Sequence, residues 1–130
     1  MTERTGADLT GWRVLLVEDQ MIVAMDIEAV VNELGCTVVG PVGTLDAAVR
    51  LAVREPLDAA ILDVNLDGEM VFPVAEALQA RGIPFIFSTG YGEAALPEKW
   101  RGPPRLGKPF TRAQLETLMR TMAGNSAVSA

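Results

Sequence analysis

The sequence predicts an α/β fold in which five parallel strands form a doubly wound sheet. Short apolar runs alternate with segments of helical periodicity, which is the pattern of strand–helix units in a parallel sheet. The chain has 130 residues, of which 49% are hydrophobic, and this is enough for one domain with a buried core. Both ends are polar or lack a periodic apolar pattern. We therefore expect one domain over residues 12 to 123 and flexible tails at 1 to 11 and 124 to 130.

The first half of the domain is predicted to contain three strands and two helices. The strands are marked by apolar and β-branched runs: Val14 to Val17, Thr37 to Val42 and Ala59 to Asp63. Met21 to Leu34 has an apolar helical face and predicts a helix, and Gly35 is expected to end it. Thr44 is the expected N-cap of a second helix, which runs to about Arg54.

In the second half, two further strands and two further helices are predicted. A helix from Gly68 to Arg81 contains Pro73, so it either starts late or is kinked. Pro84 to Ser88 predicts the fourth strand, and Leu106 to Lys108 is a short fifth strand. The last helix is capped by Thr111 and is expected to end near Met122.

The pattern fails between the fourth and fifth strands, where a fourth helix would be expected. Glu93 to Trp100 contains Pro97 and is followed by Gly102 and two prolines. These residues predict a shortened or irregular fourth helix of one or two turns. Trp100 in this segment is expected to be partly exposed.

Composition excludes several classes of function. The formal charge is −6 and no basic run occurs, so a nucleic-acid or anionic membrane surface is not an expected partner. No apolar stretch approaches the roughly 20 residues of a membrane span. The N-terminus also lacks the apolar region of a signal peptide, so a cytoplasmic location is expected.

The chain contains no histidine and one cysteine, Cys36. This removes histidine nucleophiles, histidine bases and sites for soft metals, and Cys36 is assigned to packing. Any chemistry must therefore depend on carboxylates, hydroxyls and lysine.

Three carboxylates follow two of the predicted strands. Glu18 and Asp19 come directly after the first strand, and Asp63 ends the third. Parallel strands bring their carboxyl ends to one edge of a sheet, so these side chains are expected to meet. Clustered carboxylates repel one another unless a divalent cation neutralises them, and oxygen ligands suit Mg²⁺. The sequence therefore predicts a magnesium site.

The same edge receives further functional groups from the later strands: Ser88 and Thr89 after the fourth, and Lys108 and Pro109 after the fifth. Together with the acidic pair and the central aspartate, this set resembles the receiver domain of bacterial response regulators. The resemblance covers about residues 12 to 123. It implies a flavodoxin-like sheet with strand order 2-1-3-4-5.

The resemblance also implies roles for individual residues. Asp63 would be the phosphoacceptor, forming an aspartyl phosphate. Glu18 and Asp19 would hold Mg²⁺, directly or through water, with Asp63 and the main-chain carbonyl of Asn65 as the other protein ligands.

Two further residues would sense the phosphoryl group. Lys108 would supply a positive charge to its oxygens, and the Thr89 hydroxyl would hydrogen-bond one of them. The Lys108–Pro109 bond would be cis and would direct the lysine inward, so Pro109 is counted with the switch.

The stretch Phe87 to Gly92 resembles the Phe-Ala-Thr-Gly-Tyr type of stand-alone receiver, with Ser88 in place of alanine. Ordinary receivers carry an aromatic switch residue three positions before the lysine, where this chain has Arg105. Tyr91 is the candidate for the missing aromatic.

The predicted function is a signalling switch, not a turnover enzyme. A histidine kinase would phosphorylate Asp63, and the resemblance implies a kinase of the His-Trp-Glu class. Output would be protein–protein interaction or onward phosphotransfer to a partner protein, as in a phosphorelay.

Two alternatives stand beside this reading. One is an adaptor that keeps the fold but acts without phosphorylation. The other is a magnesium-dependent phosphatase of the haloacid-dehalogenase type, suggested by Asp63 and the two residues after it. That family's second aspartate is Asn65 here, and its nucleophile normally follows the first strand.

Overall fold

The computed structural model describes residues 8 to 90 and 96 to 129. It contains seven strands: β1 (Arg13–Val17), β2 (Thr37–Val42), β3 (Ala59–Asp63), β4 (Asn65–Leu66), β5 (Glu69–Met70), β6 (Phe85–Thr89) and β7 (Arg105–Gly107). The described residues also form four α-helices: α1 (Met21–Glu33), α2 (Leu45–Arg54), α3 (Phe72–Ala80) and α4 (Arg112–Ser129).

Five of the strands form one parallel sheet in the order β2-β1-β3-β6-β7. When the small hairpin β4–β5 is left out, this is the predicted order 2-1-3-4-5. The doubly wound α/β fold is therefore confirmed. The three strands predicted in the first half lie where the apolar runs placed them.

Helices cover both faces of the sheet. On one face, α2 and α3 pack against alternate strand residues such as Leu62, Phe85 and Phe87. On the other face, α1 and α4 pack against the intervening residues of the same strands, including Ile61 and Ile86. This alternation follows from the two-residue side-chain period of a strand, and it decides which side chains share a face at the functional edge.

The second helix begins where its sequence signal predicts. The Thr44 hydroxyl accepts a hydrogen bond from the Ala47 N–H at 3.3 Å, which satisfies a donor of the first helical turn. The third helix starts late, which is one of the two outcomes that Pro73 allowed. It begins at Phe72, because residues 65 to 70 form the β4–β5 hairpin instead.

Trp100 is the point where the expectation of partial exposure was wrong. The segment Glu98–Trp100 is a single 3-10 turn, and no longer helix occurs in the described part of the interval, residues 96 to 104. Trp100 is only 3% exposed, because its ring stacks on Phe72 and meets Phe87 edge-on. Buried aromatic area thus fixes a segment that has little regular structure.

Both predicted tails overlap with structure. Leu9, in the predicted N-terminal tail, is buried beside the domain residue Trp12 at the α1 and α4 face, and the Gly11 N–H donates to the Gly35 carbonyl. The last helix does not end near Met122 but continues to Ser129, since a single glycine within a helix costs only about 1 kcal/mol. The division into one domain and two tails stays a prediction. Along the part of the chain that the structure describes, no helix has both the length and the apolarity needed to cross a membrane.

Candidate functional site

The acidic cluster predicted at the sheet edge is formed. Glu18 and Asp19 follow β1, Asp63 ends β3, and the two strands are parallel neighbours. One carboxylate oxygen from each of the three residues lies within 4.8 Å of the others. Glu18 and Asp63 are buried, whereas Asp19 is exposed. Residues 44 positions apart therefore meet because the sheet is parallel.

Lys108 reaches this cluster from the far side. Its Nζ lies 2.9 Å from Glu18 Oε1 and 3.3 Å from Asp63 Oδ2. The contact with Oε1 is an ion pair rather than an aligned hydrogen bond, since that oxygen has no partner of hydrogen-bond geometry. The ammonium is mostly buried, so little solvent screens the three charges. It partly neutralises an otherwise purely acidic site.

The protonation of Asp63 reflects these surroundings. Burial raises the pKa of Asp63 from 3.8 to about 7, with a further rise from the hydrogen bond and negative charge of Glu18. The positive charge of Lys108 lowers it, but by less. For Lys108, burial lowers the pKa, and the close contacts with the negative charges of Glu18 and Asp63 more than reverse this, so its pKa is raised. The lysine is charged, and Asp63 binds a proton near neutrality.

Backbone donors hold two of the carboxylates. The Gln20 N–H donates to Glu18 Oε2 at 3.1 Å, and the Asn65 N–H donates to Asp63 Oδ1 at 3.3 Å. The carboxylates of Glu18, Asp19 and Asp63 form an all-oxygen donor set of high negative charge, which suits a hard cation that keeps several waters. The residues present therefore fit Mg²⁺. The main-chain carbonyl of Asn65 as a further ligand stays a prediction.

Thr89 and Lys108 are brought to the same cleft. The cleft has a volume of about 730 Å³, and its lining includes Asp19, Asp63, Asn65, Thr89 and Lys108. The Lys108 N–H donates to the Thr89 carbonyl at 2.8 Å, so the two are also joined through the backbone. Every described residue assigned to the phosphoryl site thus lies at this sheet edge.

The predicted switch residues have different outcomes. The Lys108–Pro109 peptide bond is cis, as the resemblance implied. Tyr91 lies outside the described residues, so its role stays a prediction. At the position of the usual aromatic switch, Arg105 donates from Nη1 to the Arg101 carbonyl. This contact connects β7 to the 3-10 turn that carries Trp100.

The hairpin after Asp63 was missed by the sequence analysis. It turns at Asp67 and Gly68, both with positive φ, and Asn65 Oδ1 accepts from the Gly68 N–H at 2.6 Å. It places Met70 on the rim of the cleft. The Asp67-Gly68 pair was the available signal, because such pairs favour tight hairpin turns.

Similar proteins support the assignment of the fold and identify the family. The sequence matches no family model. It is 34% identical over 110 residues to the phyllosphere-induced regulator PhyR of Methylorubrum extorquens, a match that covers 82% of this chain and 41% of PhyR. The chain thus spans less than half the length of that relative.

Two solved structures are covered almost completely. SdrG of Sphingomonas melonis is 40% identical, with a TM-score of 0.73, over 92% of this chain and 98% of SdrG. The receiver domain of the sensor histidine kinase PA1611 of Pseudomonas aeruginosa is 30% identical, with a TM-score of 0.75, over 88% of this chain and 99% of that domain. The latter has a magnesium ion coordinated in its active-site cleft. This chain therefore belongs to the family of response regulator receiver domains.

Proposed function

We propose that this receiver domain accepts a phosphoryl group from a histidine kinase onto Asp63 in a magnesium-dependent reaction. The observation that carries the proposal is the buried group of Asp63, Glu18 and Lys108, with Asp19 at its open side. The Lys108 ammonium beside Asp63, together with a cation held by the acidic groups, would neutralise the charge of an incoming phosphoryl group. An ordinary strand-end aspartate would have no need of these neighbours.

The transfer would form a P–O bond to an Asp63 carboxylate oxygen while the P–N bond to the kinase histidine breaks. Mg²⁺, when bound by Asp19, Glu18 and Asp63, supplies positive charge to the phosphoryl oxygens. Lys108 remains beside the reacting oxygen and pairs with the same developing charge. Asp63 must be ionised to attack, and binding of a divalent cation would favour that state.

The response would follow from the new charge. Thr89 lines the cleft together with Lys108, which supports a role for its hydroxyl as a donor to a phosphoryl oxygen. The backbone hydrogen bond from the Lys108 N–H to the Thr89 carbonyl couples β6 to β7. Output would then be by binding to a downstream protein or by onward phosphotransfer. A kinase of the His-Trp-Glu class and a cytoplasmic location remain parts of this proposal.

The proposal is tested with acetyl phosphate and Mg²⁺, read by intact-protein mass. The wild type should gain one phosphoryl mass, and Asp63→Asn should gain none while keeping its circular dichroism spectrum. Asp26→Asn, at an exposed position of α1 that does not line the cleft, is the matched control and should label as the wild type does. Labelling of Asp63→Asn would mean that another residue is the acceptor.

The same experiment addresses the adaptor reading. If the wild type takes up no phosphoryl group from acetyl phosphate or from a phosphorylated kinase, the fold acts through its surface alone. Chelation of the metal should stop labelling of the wild type. Equal labelling in EDTA would contradict the magnesium dependence.

A further inference from the structure

Ser88 is a buried polar residue with no role so far. It lies in β6, next to Thr89, and is 0% exposed. Among the described residues, no group lies within hydrogen-bond geometry of its Oγ. A buried hydroxyl without a partner is unfavourable, and alanine would fill the same space without that penalty. The hydroxyl is therefore a candidate for a function in another state of the protein.

The register of the sheet places Ser88 under the phosphoryl site. It is paired with Asp63 on β3 and with Leu106 on β7. Residues two apart on a strand share a face, so Ser88 points to the same side as Ile86. Ile86 and Leu106 belong to the core beneath α1 and α4. Ser88 thus faces the side of the sheet on which Glu18 and Lys108 meet.

Lys108 has to cross Ser88 to reach its partners. Its Cα follows β7, whereas the carboxylates that bind its Nζ come from β3 and β1, and β6 lies between. Neighbouring strands are roughly 4.8 Å apart, so the lysine side chain extends over β6 at the level of Ser88. The residue at this position must be small. The only polar group of the Ser88 side chain is its hydroxyl.

The donor directions of the Lys108 ammonium indicate the state in which the Ser88 hydroxyl could accept a hydrogen bond. An ammonium has three hydrogens to donate. In the present state, Glu18 and Asp63 take the positions closest to Nζ. Once Asp63 carries a phosphoryl group, the ammonium has to turn toward the phosphoryl oxygens, and its hydrogens point in new directions. The Ser88 oxygen is an acceptor on the side of the sheet that the ammonium crosses.

We propose that Ser88 is a positioning residue for Lys108 in the phosphorylated state, in which its hydroxyl accepts a hydrogen bond from the ammonium. This inference rests on the proposed function. Ser88 then orients the lysine toward the phosphoryl group without touching that group itself. Compared with alanine, serine at this position lowers the stability of the unphosphorylated protein and strengthens binding of the phosphoryl group or its mimic.

The test is Ser88→Ala, with beryllofluoride as the phosphoryl mimic at saturating Mg²⁺. The melting temperature of the metal-free variant should equal or exceed that of the wild type, and Mg²⁺ affinity should not change. Beryllofluoride affinity should fall about tenfold, as expected for one hydrogen bond to a charged group. The ¹⁵N-edited signal of Lys108 Nζ should exchange faster with water only in the beryllofluoride state.

Thr44→Ala is the matched control, because it removes the hydroxyl of a residue that caps α2 and does not line the cleft. It should lower the melting temperature and leave beryllofluoride affinity and Lys108 exchange unchanged. A lower melting temperature for Ser88→Ala, or unchanged affinity and exchange, would overturn the inference. If the wild type itself fails to bind beryllofluoride, the proposed function falls as well; if only the variant effect is missing, the proposed function stands.

Discussion

The two halves of the functional edge are held together by different forces. At the ends of β1 and β3, buried charges dominate: Glu18 and Asp63 contact the ammonium of Lys108. Beside β6, packing dominates: Trp100 stacks on Phe72 and meets Phe87, two residues before Thr89. One half carries the groups for phosphoryl chemistry. The other is a small aromatic core.

This difference separates the chemistry from the response. The acidic half gains from a cation and loses stability without one, since buried like charges repel. The aromatic half is stable by itself and can report a change only through contacts with β6 and α3. Substitutions in the acidic half should therefore change metal binding and pH dependence, whereas substitutions in the aromatic half should change the free energy of unfolding.

The largest expected effect is on the aromatic half. Trp100→Ala should reduce the free energy of unfolding by about 3–5 kcal/mol, the range for a large buried aromatic replaced by alanine. Mg²⁺ affinity of the folded fraction should stay at the wild-type value. Urea unfolding and metal titration measure the two quantities. An equal loss of metal affinity would show that the two halves are not separate.

Lys99→Ala is the control for that change. Lys99 is exposed, pairs with Glu76 and lies over the Trp100 ring. Exposed pairs contribute little, so its loss should lower stability by about 1 kcal/mol or less. A larger loss would assign the stability of this segment to charge instead of packing.

The acidic half should make the stability of the fold depend on pH. The pKa of Asp63 is raised to about 7 in the folded protein, so the folded state binds this proton more tightly than the unfolded state. The resulting stabilisation is complete below the ordinary aspartate pKa and is lost as the pH rises through about 7. In EDTA, the wild type should lose on the order of 2 kcal/mol between about pH 5 and about pH 8.

Asp63→Asn should flatten this pH profile, because the amide does not titrate in this range. Urea unfolding at both pH values gives the comparison. A profile of equal slope in the variant would place the titrating group elsewhere.

A smaller effect is expected at the open side of the cluster. Asp19→Asn should weaken Mg²⁺ binding by about tenfold, since one charged oxygen ligand is lost. Asp26→Asn is the matched control. Asp26 is exposed on α1 and does not line the cleft, so this substitution removes the same charge outside the site. Isothermal titration measures both affinities. Equal losses in the two variants would indicate a general effect of net charge and no specific ligand.

The smallest effect on the chemistry is expected at Thr89. Thr89→Ala should still take up phosphate within about threefold of the wild-type rate, because its hydroxyl acts after transfer. The variant should lose the amide shift changes that beryllofluoride induces from Arg105 to Gly107. Thr111→Ala, at the start of α4, should keep them. An unchanged response in Thr89→Ala would remove this residue from the switch.

Much of the fold was predictable because its signals are local. Apolar runs marked β1, β2 and β3, and Thr44 marked the start of α2. The order of strands and the carboxylate cluster followed from the resemblance and from the rule that parallel strands end at one edge. The late start of α3 was only one of two possibilities, since Pro73 is compatible with both a late start and a kink.

The residues by themselves determined which groups meet at the edge: Glu18, Asp19, Asp63, Thr89 and Lys108 each follow or end a strand. Only the tertiary structure decided that Trp100 is buried and that the Lys108 ammonium contacts Glu18 and Asp63. These outcomes depend on which strands are neighbours and on what packs against a segment without regular structure. Such contacts join residues distant in sequence, and no local pattern of side chains encodes them.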